Sequence, residues 1–243
     1  MDIYALSATL HFAAGVVALL SFWAAAFVRK GSGGHVWVGR VYLSAMATLL
    51  VLAVPLVVTR IADGRPSGWF LAYLLLITAT SCWGSWRAIR DRRDFARYAG
   101  WPLRVLGALN LVGGLAMLGY GVVRGEALFI GFALIGVFAG PDMMRMHRRP
   151  PADARWWMRE HLNGMTGNAI ATHISFLSIG LPKLFPALSG PVLMNLAWFG
   201  PLVVAFGVRW LILRRWERTA ARAEAALAAR RAVARPASQP VVG

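Results

Sequence analysis

The sequence predicts an all-α fold, a polytopic transmembrane helical bundle of about seven spans with its N-terminus outside and its C-terminus in the cytoplasm. Three observations predict it: an apolar composition, a series of apolar runs of spanning length, and basic residues gathered in alternate gaps. Of 243 residues, 58% are hydrophobic and only 15% are charged. The mean hydropathy is +0.57. A water-soluble domain of this length cannot cover so much apolar surface with polar side chains, whereas a bilayer solvates it directly. The length suits one bundle.

A helix needs roughly 20 apolar residues to cross the ~30 Å hydrocarbon core with its main-chain polar groups satisfied internally. Seven segments meet that length: Tyr4–Val28, Val36–Thr59, Gly68–Trp86, Val105–Val123, Ala127–Met144, Leu162–Leu181 and Pro191–Leu213. Residues 1–213 thus form the bundle, and residues 214–243 a basic cytoplasmic tail, helical until Pro236 and disordered after it. The first segment has no basic start and runs apolar to Val28, which reads as a retained span rather than a signal peptide. The fifth is the weakest, short and interrupted by Gly131, Gly136, Gly140 and Pro141. Gly136 and Gly140 form a G-x-x-x-G pair, and Gly107, Asn110 and Gly114 share a face of the fourth helix; both read as close helix packing. Pro55 and Gly200-Pro201 predict kinks in the second and seventh helices.

Orientation follows from the basic residues. Residues 29–40 carry three, residues 87–104 six, residues 145–161 five, and the segment from Arg209 onward eight, so that 22 of the 26 lie in one set of alternate segments. The remainder are Arg60, Arg65, Arg124 and Lys183. The asymmetry puts the first set in the cytoplasm, against the anionic headgroups of the cell's inner (plasma) membrane. A net charge of +16 would suit nucleic acid, but charges confined to gaps between apolar runs exclude that partner. Trp37, Trp69, Trp86, Trp101, Trp156, Trp157 and Trp210 lie near helix ends, as an interfacial belt requires. Cys82, the single cysteine, reads as a small buried hydrophobe.

No soluble-enzyme signature is present, and the glycine-rich Gly31-Ser32-Gly33-Gly34 reads as a turn between spans. Polar residues inside the spans carry more information, because burying them in hydrocarbon is costly. On the sixth helix Met165, Asn168, Thr172 and Ser175 continue a stripe from His161 that points to the bundle interior. His11 and His173 fall at comparable depths toward the outer side, and His35 and His161 at the cytoplasmic mouth. Imidazoles at two levels suit the axial ligands of transmembrane b-type haem. Asp142, His147, Asp153, Glu160 and His161 offer a competing metal-binding group.

Lys30-Gly31 followed by His35, Gly39 and Met46 resembles one motif, and His161, Met165, Ile170-Ala171-Thr172 and Phe176 a second, with Trp198 and Pro201 beyond. His11 followed by Gly15 is similar to the start of the same proteins. Together they resemble uncharacterised bacterial multi-pass membrane proteins, the domain of unknown function 2306 family, over the chain up to about residue 205. The resemblance implies a helical membrane bundle and supplies no activity. His173 stands outside the matched positions. The readings the residues leave open are a haem b electron carrier delivering to a quinone, a transporter or binder of a small hydrophobic molecule, and an accessory subunit whose tail docks a partner.

Overall fold

Each long apolar run of the sequence is helical, as hydrocarbon demands of a chain whose main-chain N–H and C=O groups have no water to bind. The computed structural model describes residues 3–151, 153–187 and 190–233. Its helices are α1 (Ile3–Phe27), α2 (Gly33–Ala62), α3 (Pro66–Arg90), the short α4 (Phe95–Tyr98), α5 (Trp101–Arg124), α6 (Ala127–Arg145), α7 (Trp156–Ser175), the short α8 (Leu181–Leu184) and α9 (Pro191–Val233). No strand occurs among the described residues. The connections are tight and capped. Ser32 accepts from the His35 main-chain N–H at 3.3 Å and starts α2, while Lys30 ends α1 by donating to the carbonyls of Ala25 and Ala26 at 2.7 Å. Gly125, at φ +67°, closes α5 in the left-handed conformation that favours glycine.

Six helices are long and apolar enough to cross a membrane, by length and composition: Ile3–Phe27, Gly33–Ala62, Pro66–Arg90, Phe95–Arg124, Ala127–Arg148 and Pro191–Arg222. The glycine-rich fifth segment, weakest in the sequence, is among them. The sixth segment, Leu162–Leu181, is not. Arg159, Glu160, His161, Asn163, Thr166, Asn168, Thr172 and His173 make α7 too polar to qualify by hydropathy. It runs from Trp156 to Ser175, then through a π-helical turn, Phe176–Gly180, into α8. Helix α9 passes through residue 213 without a break. At 43 residues it is about 65 Å long, roughly twice the hydrocarbon thickness. The break expected at Pro236 lies outside the described residues.

Glycine sets which helices touch. Helices α5 and α6 cross along Gly107, Gly114, Gly136 and Gly140, as the small-residue faces predict. A Cβ on Gly107 would stand 2.8 Å from the Gly140 carbonyl oxygen, and one on Gly140 2.6 Å from that of Gly107. At Gly136 it would overlap both the Asn110 carbonyl and the Tyr73 hydroxyl, which accepts from the Gly136 N–H at 2.9 Å. Asn110 reaches from this crossing to α3, donating to Thr80 Oγ1 at 2.9 Å. The pairs α1–α2 and α3–α7 complete the frame, and α7 also touches α1 and α9.

Two apolar clusters flank α7. Ile170 and Ile174 pack with Phe70, Tyr73, Phe129 and Phe132 on one side. Ala18, Tyr42, Ala45 and Met46 gather on the other, with Met165 and Cys82 against them. A third cluster closes the basic end around Ala88, Tyr98, Leu103 and Trp156. Trp156 is therefore core, 8% exposed, and not part of the interfacial belt. Its ring is taken up by Phe95 and Tyr98, with centroids at 5.1 and 5.0 Å. Trp37, Trp69, Trp101 and Trp210 are at least half exposed, as belt residues are. Arg87, Arg90 and Arg214 stack over Trp83, Trp86 and Trp210 at 4.9, 4.8 and 4.1 Å.

Replacing Gly136 with Val should separate α5 from α6 and cost at least about 2 kcal/mol, since a side chain driven into backbone has no rotamer to escape to. Thermal unfolding in detergent measures it. Gly119→Ala, where a Cβ meets nothing within 4 Å, should melt like the parent protein.

Candidate functional site

Polar side chains converge where α7 lies against α3. Gly164 and Gly167 bring the two helices together: a Cβ on Gly164 would be 2.7 Å from the Ser81 carbonyl oxygen, and one on Gly167 would overlap the Ser81 hydroxyl. Asn168 is thereby sealed at 0% exposure. Its amide nitrogen donates to Ser85 Oγ at 3.3 Å and points at Met165 Sδ at 3.9 Å. Its Oδ1 accepts from Cys82 Sγ at 3.1 Å. Thr172 donates to the Asn168 carbonyl at 2.8 Å and lies 3.2 Å from the Tyr42 hydroxyl, which therefore donates to it. A chain of polar contacts so joins α2, α7 and α3 across the middle of the bundle. Buried groups of this kind must be satisfied, and these are.

The stripe expected on α7 is thus interior at Asn168 and Thr172, and partly so at Met165. It is not interior at Ser175, which is exposed. Ser175 is the last residue before the π turn. Beyond that turn the buried hydroxyl is that of Ser178, which donates to the Ile174 carbonyl at 2.7 Å.

Every imidazole anchors Nδ1 on a main-chain carbonyl. His35 meets Ala25 O at 3.2 Å, His161 meets Ser85 O at 3.1 Å, His11 meets Leu49 O at 3.0 Å and His173 meets Ala169 O at 2.7 Å. A carbonyl only accepts, so Nδ1 carries a proton, and in the neutral ring the lone pair is then on Nε2. His35 and His161 lie near the starts of α2 and α7, and the Tyr42–Thr172 contact further along the same two helices puts those starts at one end of the bundle. The glycines near His35 are free of packing duty: a Cβ at Gly31, Gly33 or Gly39 would meet nothing within 4 Å.

His11 and His173 are not such a pair. His173 sits edge-on to Phe22 and Trp23, centroids at 5.4 and 5.5 Å. Those residues are eleven and twelve positions from His11, about 16–18 Å along α1. Depth counted from apolar ends fails here because α7 with its π turn and α8 extends from Trp156 to Leu184 and does not end level with α1. His173 Nε2 is buried without a hydrogen-bond partner.

The acidic residues around α7 are engaged separately. Glu160 accepts from Tyr98 at 3.2 Å and from Asn163 at 3.3 Å, and Asn163 in turn accepts from Arg209 at 2.8 Å. Burial pushes the Glu160 carboxyl above the usual carboxylate range, with these two hydrogen bonds opposing it. Asp142 pairs with Arg149 at 3.6 Å, Asp153 accepts from the Arg155 N–H, and His147 turns back to Met144 O. Among the described residues no three metal-ligating side chains converge. The five proposed as an alternative metal group, Asp142, His147, Asp153, Glu160 and His161, are held apart by these partners.

Sequence reasoning missed Gly164, Gly167, Ser81 and Ser85, which build the α3–α7 contact. Their signal is small residues one turn apart on two separate helices, visible only once those helices are paired. It also missed Asp91, buried beside Arg87 and 3.6 Å from Arg97. Compared with known protein families, curated proteins and solved structures, the chain matches none.

Asn168→Leu removes three side-chain contacts at once and should lower stability by about 1–2 kcal/mol, at roughly 0.6 kcal/mol for each membrane polar contact. Leu177→Ala should cost less. Equal melting of the two variants would show that the stripe does not hold α7 in place.

Proposed function

We propose that the protein is a seven-span bacterial inner-membrane protein, N-terminus outside and C-terminus cytoplasmic, that holds a b-type haem between His35 and His161 and carries electrons. Two observations support the seventh span. Helix α7 with its π turn and α8 is long enough to cross, and Asn168, Thr166 and Thr172, its polar side chains near mid-length, are buried in the bundle. The basic segments also come together at one end, through Tyr98 with Glu160, Arg209 with Asn163, His161 with Ser85 and His35 with Ala25. An odd number of crossings produces that gathering, and the positive-inside preference makes that end cytoplasmic.

The observation that carries the haem reading is the pair of anchored imidazoles. Neutral histidine with Nδ1–H on a carbonyl is the form in which Nε2 ligates iron, and the outer hydrogen bond fixes the ring. His35 and His161 both have it, from different helices at one end of the bundle, and Gly31, Gly33 and Gly39 near His35 meet no neighbour. When bound, the haem supplies one-electron chemistry. The chain's own residues hold the ligands: Ala25 and Ser85 fix the tautomers, and Asn168 braces Ser85 from α7.

A green fluorescent fusion at Gly243 should fluoresce, and an alkaline phosphatase fusion there should be inactive. Active phosphatase would reverse the orientation or make the span count even.

Protein expressed with sufficient haem should show a Soret band and a sharpened α-band on reduction. His35→Ala or His161→Ala should remove or shift both bands, while His147→Ala should leave them alone. Featureless spectra from haem-replete cells would end the redox reading.

A further inference from the structure

A groove of about 630 Å³ runs between α1 and α2 on the outer surface of the bundle. Ala14 and Val17 wall it from α1; Trp37, Arg40, Ser44 and Thr48 wall it from α2. Arg40, Ser44 and Thr48 follow at intervals of four residues and so form one ridge. All three are exposed, as is Trp37 at 67%.

On a soluble helix such a ridge needs no account. On a helix that crosses a membrane, donors facing hydrocarbon without a partner are costly. Several other hydroxyls of the long helices avoid the cost by bonding the carbonyl one turn back: Ser21 to Val17, Thr59 to Pro55, Thr80 to Leu76, Ser81 to Ile77 and Thr166 to Leu162. Ser44 and Thr48 do not, and Arg40 has no ion pair or hydrogen bond among the described residues. The Arg40 guanidinium above all is left to meet something outside the chain.

Position identifies its chemistry. Arg40 is seven residues into α2, about 10 Å from Gly33, near the boundary of headgroups and acyl chains. Ser44 lies one turn, about 6 Å, deeper. An anion at Arg40 followed one turn below by a neutral acceptor at Ser44 is the order of phosphate and ester carbonyl in a phospholipid. A second copy of the chain fits less well. Neither α1 nor α2 contains an acidic residue, and a two-fold contact through this face would bring the two Arg40 side chains together with no carboxylate between them.

We propose that the α1–α2 groove is a site for a single anionic glycerophospholipid. Its phosphate pairs with Arg40 beside the Trp37 indole, a glycerol ester carbonyl accepts from Ser44, and one acyl chain lies along Ala14 and Val17. Thr48 borders that chain and can turn its hydroxyl back to the Ser44 carbonyl. The site needs only α1 and α2 to span the membrane, and is independent of the haem reading.

Native mass spectrometry of the full chain in detergent, titrated with phosphatidylglycerol or with phosphatidylcholine of the same acyl chains, tests it. The parent protein should retain one phosphatidylglycerol in preference to phosphatidylcholine. Arg40→Gln should bind phosphatidylglycerol about tenfold more weakly and lose the preference. Ser44→Ala should weaken both lipids alike, because both carry the ester. Arg93→Gln, an exposed arginine away from the groove, should behave as the parent does. Absence of a headgroup preference, its survival in Arg40→Gln, or a dimer that sheds lipid would overturn the proposal. So would a lower melting temperature of lipid-free Arg40→Gln, since it would reveal a partner for Arg40 inside the chain.

Discussion

The bundle is organised by the need to keep one polar helix out of lipid. Helix α7 carries amides, hydroxyls and imidazoles on more than one face, and hydrocarbon offers none of them a partner. Helix α3 answers most of them. Gly164 and Gly167 let it come close enough for Asn168 to reach Ser85 and Cys82. From α2, Tyr42 takes Thr172. The other long helices then have little choice of place. Helices α5 and α6, locked to each other by glycine, fill the far side of α3 through Asn110 and Tyr73. Helix α9 meets α7 through Arg209, which donates to Asn163, and lays the rings of Trp198 and Phe199 against Phe132 of α6.

The same arrangement explains why imidazoles at the basic end are well defined in tautomer although half-buried. Each carbonyl they use belongs to a helix turn next to a packing contact. Ser85 packs its main-chain nitrogen and Cβ against Gly164, and Ala25 is fixed between the Lys30 cap and the α1 core. Ring orientation at this end is therefore a product of helix packing, and a change at Gly164 would reach His161 without touching it.

Hydropathy made the apolar helices legible, because length and composition alone decide whether a helix suits a bilayer. The α5–α6 crossing was legible too, since Gly136, Gly140, Gly107 and Gly114 repeat at helical spacing within each helix. What the sequence obscured concerns relations between helices. His173 and His11 seemed level because each lay a similar number of residues from an apolar end, yet His173 meets Phe22 and Trp23, about three turns along α1 from His11. Ser175 falls on the stripe by the α-helical period and is nonetheless exposed, while Ser178, past the π turn, is buried. Trp156 looked interfacial by position in sequence, and only the fold of α4 over it, with Phe95 and Tyr98, shows it enclosed. Polarity of α7 was visible from the start. That it lowers the hydropathy of α7 while adding to the core is a fact of packing, not of composition.

Chain order has a consequence for biosynthesis. Helices α1 and α2, and likewise α5 and α6, are sequence neighbours that contact each other directly, so each pair can close as soon as it leaves the ribosome. Helix α3 differs, because the helix that covers Ser81, Cys82 and Ser85 is translated some eighty residues later. Until α7 arrives, that surface of the nascent protein faces lipid or the insertion machinery. The last covalent steps of synthesis therefore complete the core, and a chain truncated before Trp156 would be inserted yet left with an open seam along α3.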